Sequence, residues 1–180
     1  MVFAHDTEEA LLAAVALVNS AAPPATLTTV GELDAFFERF DYTGRHDRTR
    51  EELAEVQALR PRLRTLLLAQ RDDAVREVNA ILHDSQAIPQ LVRHEPLDWH
   101  IHAVPPDAPL ATRIAVETAM AMIDVIRADE HARLGVCADQ DCEGIVLDLS
   151  RNRSKRFCSV ACGNRNAVAA YRARQAGSGA

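Results

Sequence analysis

Glycine, aromatic side chains and long apolar runs are all scarce in this chain. No stretch is apolar over the length a bilayer requires, which argues against a membrane-spanning helix. Seven glycines scattered over 180 residues build no phosphate-cradling loop, and neither HExxH nor a Ser/His/Asp signature occurs. We therefore expect no enzymatic activity. Internal repeats are absent as well. Aromatic residues make up 4% of a chain that is 48% hydrophobic, so the core is expected to be mostly aliphatic. The nearest approach to an export signal, Ala10 to Val18, is preceded by Asp6, Glu8 and Glu9 where a signal would be basic. The expectation is a cytoplasmic protein.

Acidic residues are missing from the C-terminal end. Residues 151–180 hold Arg151, Arg153, Lys155, Arg156, Arg165, Arg172 and Arg174 and no Asp or Glu, while residues 1–150 carry a balance of −13. Two readings stay open: the basic end faces a nucleic acid, or it folds back on the acidic body.

The same end contains all four cysteines, Cys137, Cys142, Cys158 and Cys162, in two close pairs. Four thiolates match the tetrahedral demand of zinc and leave no position for a substrate water, so the pattern predicts one structural Zn2+. Buried or disulfide-bonded cysteines are the alternative, weakened by the lack of an export signal. Between the pairs, Gly144 to Leu149 alternates as a strand does and is followed by the polar turn Ser150–Ser154, which predicts a hairpin. The run from Ser159 to Gln175, rich in Ala and Arg, predicts a helix with Cys162 in its first turn. Knuckle, hairpin and helix compose a treble-clef-like finger.

The tetrapeptide Cys162-Gly163-Asn164-Arg165, with Ser150–Ser154 before it and Ala170–Arg174 after it, resembles the CGNR zinc finger of bacterial proteins that carry an N-terminal ABATE domain. Leu17-Val18-Asn19-Ser20 is similar to an early signature of that family. The resemblance implies a stress-induced transcription regulator whose finger binds DNA. It also draws attention to Asn19 as a ligand-binding candidate, although such an Asn also caps helix ends.

Upstream, the spacing predicts helices opened by capping boxes at Asp6–Glu9, Thr29–Glu32 and Thr49–Glu52. Leu33, Phe36, Phe37 and Phe40 form an aromatic stripe of core type. Pro61 predicts a kink in the third helix, or two helices meeting there. A fourth helix is expected from about Asp72 to His83. Leu97–Val104 alternates with period two and predicts a strand paired with Gln90–Arg93. On it Asp98, His100 and His102 share one face, with Trp99, Ile101 and Ala103 on the other. Two histidines so placed suit a second metal or acid–base work; an amphipathic strand with a polar outer face is the competing reading. A long helix capped by Asp107, with Pro109 in its first turn, should be the most buried of the body.

The expected fold is α+β, mainly α. A multihelical domain with a small β-hairpin (1–132) precedes the finger (133–176), and 177–180 form a disordered tail. The leading functional expectation is a DNA- or RNA-binding regulator with a sensory body, a small-molecule effector and a homodimeric form. Arg151, Arg153, Lys155, Arg156, Arg165, Arg172 and Arg174 would neutralise phosphates, and Asn166, Arg172 and Gln175 would approach bases. Asn164 and Arg165 are equally suited to holding the finger together. The alternative is a sensing or interaction protein whose finger is purely structural.

Overall fold

The computed structural model describes residues 2–94 and 97–177. Local caps position the first helices. The Thr29 hydroxyl accepts from the Glu32 amide while the Glu32 carboxylate accepts from the amides of Thr28 and Thr29, so the expected box opens α2 (Val30–Arg39). Thr49 likewise caps α3 (Arg50–Leu68), but Glu52 reaches back to the amides of Asp47 and Arg48. The box expected at Asp6 does not form. Helix α1 (His5–Asn19) starts earlier, at an Ala4 cap with no side-chain hydrogen bond, and Glu8 takes the amides of Val2 and Phe3. Asp6 then lies in the first turn, where its charge meets the positive end of the helix dipole.

Helix α3 continues through Pro61 as a single helix, not as two. The proline ring is on the exposed side, where water can satisfy the freed carbonyl. Helix α4 (Arg71–Asp84) and helix α5 (Leu110–Arg127) complete the helical body. Pro109, not Asp107, stands at the cap of α5. As expected, α5 is the central helix: it packs on α1, α3 and α4, and buries Leu110, Ile114, Val116, Met122 and Val125 among Leu11, Leu17, Leu63 and Ile81. Removing this aliphatic surface from water is the main stabilising contribution to the body.

Strands β1 (Gln90–His94) and β2 (Leu97–His102) pair antiparallel in the expected register region. Their polarity is the reverse of an amphipathic strand with its polar side outward. His100 is 8% exposed, whereas Trp99 is 64% and Leu91 68% exposed. The histidine side faces the body, at the rim of a cavity that acidic and hydroxyl residues also line.

The loop between α2 and α3 is ordered by buried polar groups that periodicity does not reveal. His46 sits between Asp34 (2.7 Å) and the buried Glu52 (2.8 Å) and stacks on Phe37. Buried Arg113 of α5 donates to the carbonyls of Thr43, Arg45 and Ala108. Gly44 has φ +85°, and a Cβ there would meet the Pro106 carbonyl oxygen at 2.3 Å, so only glycine closes this contact.

After a 3-10 turn (His131–Arg133), β3 (Leu134–Val136) pairs antiparallel with β4 (Ile145–Leu147), and α6 (Val160–Gly177) ends the described chain. The finger hairpin thus differs from the expected one: the partner of Ile145–Leu147 precedes Cys137, and the turn after Leu149 leads into no second strand. Residues 178–180, within the tail expected to be disordered, lie outside the described residues.

Strand β4 faces two ways. Ile145 and Leu147 enter the core of the helical body, while Val146 packs with Cys137 and Cys162 in the finger. Asn19, at the end of α1, binds both backbone groups of Ile145: its Nδ2 donates to the carbonyl at 2.8 Å and its Oδ1 accepts from the amide at 2.7 Å. Finger and body are therefore joined by a shared strand and a shared core.

Candidate metal centre

Cys137 follows β3 directly, and its amide donates to the Gly144 carbonyl at 2.8 Å. The knuckle between is tightened by Asp139, whose carbonyl accepts from the Cys142 amide and whose Oδ1 accepts from that of Asp141. On the other side, the Ser159 hydroxyl accepts from the Cys162 amide at 3.2 Å, capping α6 and placing Cys162 in its first turn. Amides also point at sulfur: Gly144 N–H toward Cys142 Sγ and Cys158 N–H toward Cys137 Sγ, both at 3.4 Å. Such donors stabilise thiolates.

The four sulfurs lie within 4.8 Å of one another and all four cysteines are free thiols. The Cys142–Cys158 and Cys158–Cys162 sulfur separations are 3.5 and 3.7 Å. A zinc tetrahedron with bonds of about 2.3 Å has edges of about 3.8 Å, which these distances approach and a disulfide would not. Burial and the neighbouring sulfurs push the Cys158 thiol far up, while the Ser159 hydroxyl lowers that of Cys162. Four thiolates so close repel unless a dication lies between them, so the donor set fits one structural zinc ion.

Gly144 supports this packing. A Cβ on it would lie 2.8 Å from Cys158 Sγ and 3.3 Å from Cys142 Sγ. Gly144→Ala should therefore displace two ligands and weaken zinc binding by roughly tenfold or more; an unchanged affinity in chelator competition would show that the sulfurs can yield. At Gly163, by contrast, a Cβ would make an ordinary 3.7 Å contact with Phe157.

The basic residues divide into two groups. Arg165 is held inside the finger, donating to Asp139 (Nε 3.0 Å, Nη2 2.7 Å) and to Cys162 Sγ (3.2 Å). Asp139 is buried, which alone would raise its pKa, but the Asp141 amide and Arg165 keep it below the usual range. The guanidinium thus offsets charge at the metal centre. Arg153 pairs with Glu130, which also binds Arg133. Among the described residues Arg151, Lys155, Arg156 and Arg172 are exposed and make no ion pair, Arg156 lying over the Phe157 ring; Arg174 is also exposed. Asn164 is exposed and has no side-chain hydrogen bond to a described residue, Asn166 donates to the Cys162 carbonyl, and Gln175 donates to the Tyr171 hydroxyl.

Asp148 and Arg133 shape the basic loop. The Asp148 carboxylate accepts from the amides of Ser150 and Lys155, and Arg133 donates to the carbonyls of Asp148 and Ser150. Neither residue stands out in the sequence, because each acts on backbone groups brought near by the fold. His100 and His102 touch each other, Nε2 to Nε2 at 2.8 Å, but among the described residues they belong to no group of three converging metal donors. Among the described residues the four cysteines are the one cluster of three or more converging metal donors. Asn19 is engaged with Ile145 and does not cap α1, where Ser20 bonds Leu17.

A multihelical body joined through a shared strand to a four-cysteine, treble-clef-like centre defines a zinc-finger protein with a structural metal. A CGNR zinc finger model matches residues 133–175, and the ABATE model, described as "Putative stress-induced transcription regulator", matches residues 12–129. The chain belongs to the ABATE family and carries a CGNR zinc finger. No curated protein gives a significant match.

Proposed function

We propose that this protein is a cytoplasmic, non-enzymatic transcription regulator that binds duplex DNA through its zinc-held finger, as a homodimer, under the control of a small effector taken up by the helical body. The observation that carries this reading is the set of exposed cations: Arg151, Lys155 and Arg156 on the loop after β4 and Arg172 on α6 are not paired with any carboxylate among the described residues. Helix α6 adds to it. From Ala167 to Gln175 every residue is exposed, Val168 and Tyr171 included, and a helix with so little burial of its own is ordinarily held by a partner. A thiolate metal site suits a reducing compartment.

Phosphate neutralisation by about four cations predicts a slope of log affinity against log salt near −4 on mixed-sequence duplex. Arg151→Ala and Lys155→Ala should each reduce that slope by about 1 without loss of zinc. Fluorescence anisotropy at several salt concentrations measures this, with single-stranded RNA as comparison. Binding absent at low salt, or equal in wild type and both variants, would overturn the proposal.

A second reading, an interaction protein whose finger is purely structural, draws on the burial of Ile145 and Leu147 in the body and on the Arg153–Glu130 pair. Docking and phosphate binding use different side chains, so a docked finger leaves the exposed cations available. Zinc-loaded protein that binds neither polymer would favour this second reading.

A further inference from the structure

A cavity of about 210 Å3 lies between α1, the loop after α2, β2 and α5, and no residue of the finger lines it. Its wall carries the carboxylates of Asp6, Glu9, Asp41, Glu117 and Asp124 against a single guanidinium, Arg127. The histidines add at most one charge to that balance, because in the contact between His100 Nε2 and His102 Nε2 one ring must accept. Phe40, Tyr42 and Met120 give the same cavity an apolar side.

The carboxylates are not equivalent. Asp124 accepts from the Thr7 hydroxyl at 2.6 Å. Glu117, on the central helix, has no hydrogen-bond donor among the described residues, and the donors of its cationic neighbour Arg113 are directed to the carbonyls of Thr43, Arg45 and Ala108. Glu117 is half-buried, and a carboxylate in a cavity wall without a protein donor is left to water or to a cation.

We propose that this cavity binds a small organic cation, an amine with an apolar or aromatic body, whose ammonium is received by Glu117 and whose body lies against Phe40 and Tyr42. The proposal deepens the reading of the helical body as the effector-binding part and rests on it. Aromatic faces attract such cations as well as burying their carbon skeleton. The cavity is smaller than the roughly 300–1,000 Å3 of sites for drug-sized ligands, which limits the guest to a small molecule. Five carboxylates disfavour an anion. A metal ion is disfavoured because, among the described residues, the carboxylates and histidines bring no three donors together. In the cavity as it stands, burial raises the Glu117 pKa to about 7 against the pull of Arg113; an ammonium partner would favour the ionised form.

The test is calorimetric titration of the full zinc-loaded chain, without DNA, at about pH 8, where Glu117 is ionised, using benzylamine, benzyl alcohol, benzoate and calcium chloride. Benzylamine should bind about tenfold or more tighter than its neutral isostere, with benzoate and calcium weaker still. Glu117→Gln should abolish that preference with an unchanged circular dichroism spectrum, and Asp41→Asn, at an exposed position, should weaken benzylamine binding without altering the fold. Equal binding of amine and alcohol, tighter binding of benzoate or calcium, no amine binding, or full binding by Glu117→Gln would each overturn the proposal. Because no nucleic acid is present, failure here is distinguishable from failure of DNA binding.

Discussion

Cys137→Ser is expected to lose zinc and, with it, stability in the helical body as well as in the finger. Cys137 Sγ accepts from the Cys158 amide and packs on Val146. Zinc binding supplies on the order of 10 kcal/mol of folding free energy to modules of this size. With three thiolates left, the knuckle and the start of α6 lose the ion that holds them together. The consequence does not stop at the finger, because β4 also inserts Ile145 and Leu147 into the core of the body and is bound at Ile145 by Asn19. Removing large aliphatic side chains from a core costs about 2–5 kcal/mol each, so even partial withdrawal of β4 should lower the body's thermal midpoint by several degrees. Zinc content per chain and thermal unfolding by circular dichroism measure both effects. A variant with stoichiometric zinc would refute the four-cysteine assignment, and zinc loss with an unchanged body transition would refute the coupling.

Glu117→Gln should stabilise the protein above neutral pH. In the unfolded chain this carboxyl ionises near 4.5; in the fold, burial raises its pKa to about 7, with Arg113 opposing. Between these values the folded state holds a proton that the unfolded state has released, so its contribution to stability is fully present below about pH 4.5 and declines as pH rises through about 7. Above that the folded state carries the whole cost of a buried charge, on the order of 3 kcal/mol. The neutral amide of nearly the same shape removes that cost. Denaturant unfolding of both proteins at pH 5 and pH 8 should show a small difference at the lower pH and a gain for the variant of about 2–3 kcal/mol at the higher. A variant less stable at pH 8, or a difference independent of pH, would contradict this account. A half-buried carboxylate on the central helix whose ionisation lowers stability, set in a cavity wall, is what a binding site for a cation would require.

The elements that the sequence by itself determined are those specified by near neighbours along the chain. Thr29 and Glu32 are three residues apart, so their reciprocal capping follows from helix geometry wherever the helix lies. The aliphatic periodicity of α3, α4 and α5 likewise marks faces that any packing must bury. Cysteine spacing and the Ser159 cap before Cys162 bring the ligand set together locally, and so the metal centre was legible before the fold was known.

Tertiary structure decided what depends on partners distant in the chain. Ile145–Leu147 was recognisable as a strand, but its pairing with Leu134–Val136 and its double-sided burial depend on α1 and α3 being alongside. The alternation of β2 was equally visible, whereas its orientation was not: period two states that two faces differ and does not say which is covered. In the fold the histidine face turns inward to a cavity lined by carboxylates, and Trp99 stays outside. Asn19 and Arg165, open to a ligand or phosphate role in sequence, are engaged by Ile145 and Asp139, residues 126 and 26 positions away. A hydrogen bond has the same chemistry at any sequence separation, and only the fold brings such partners within reach.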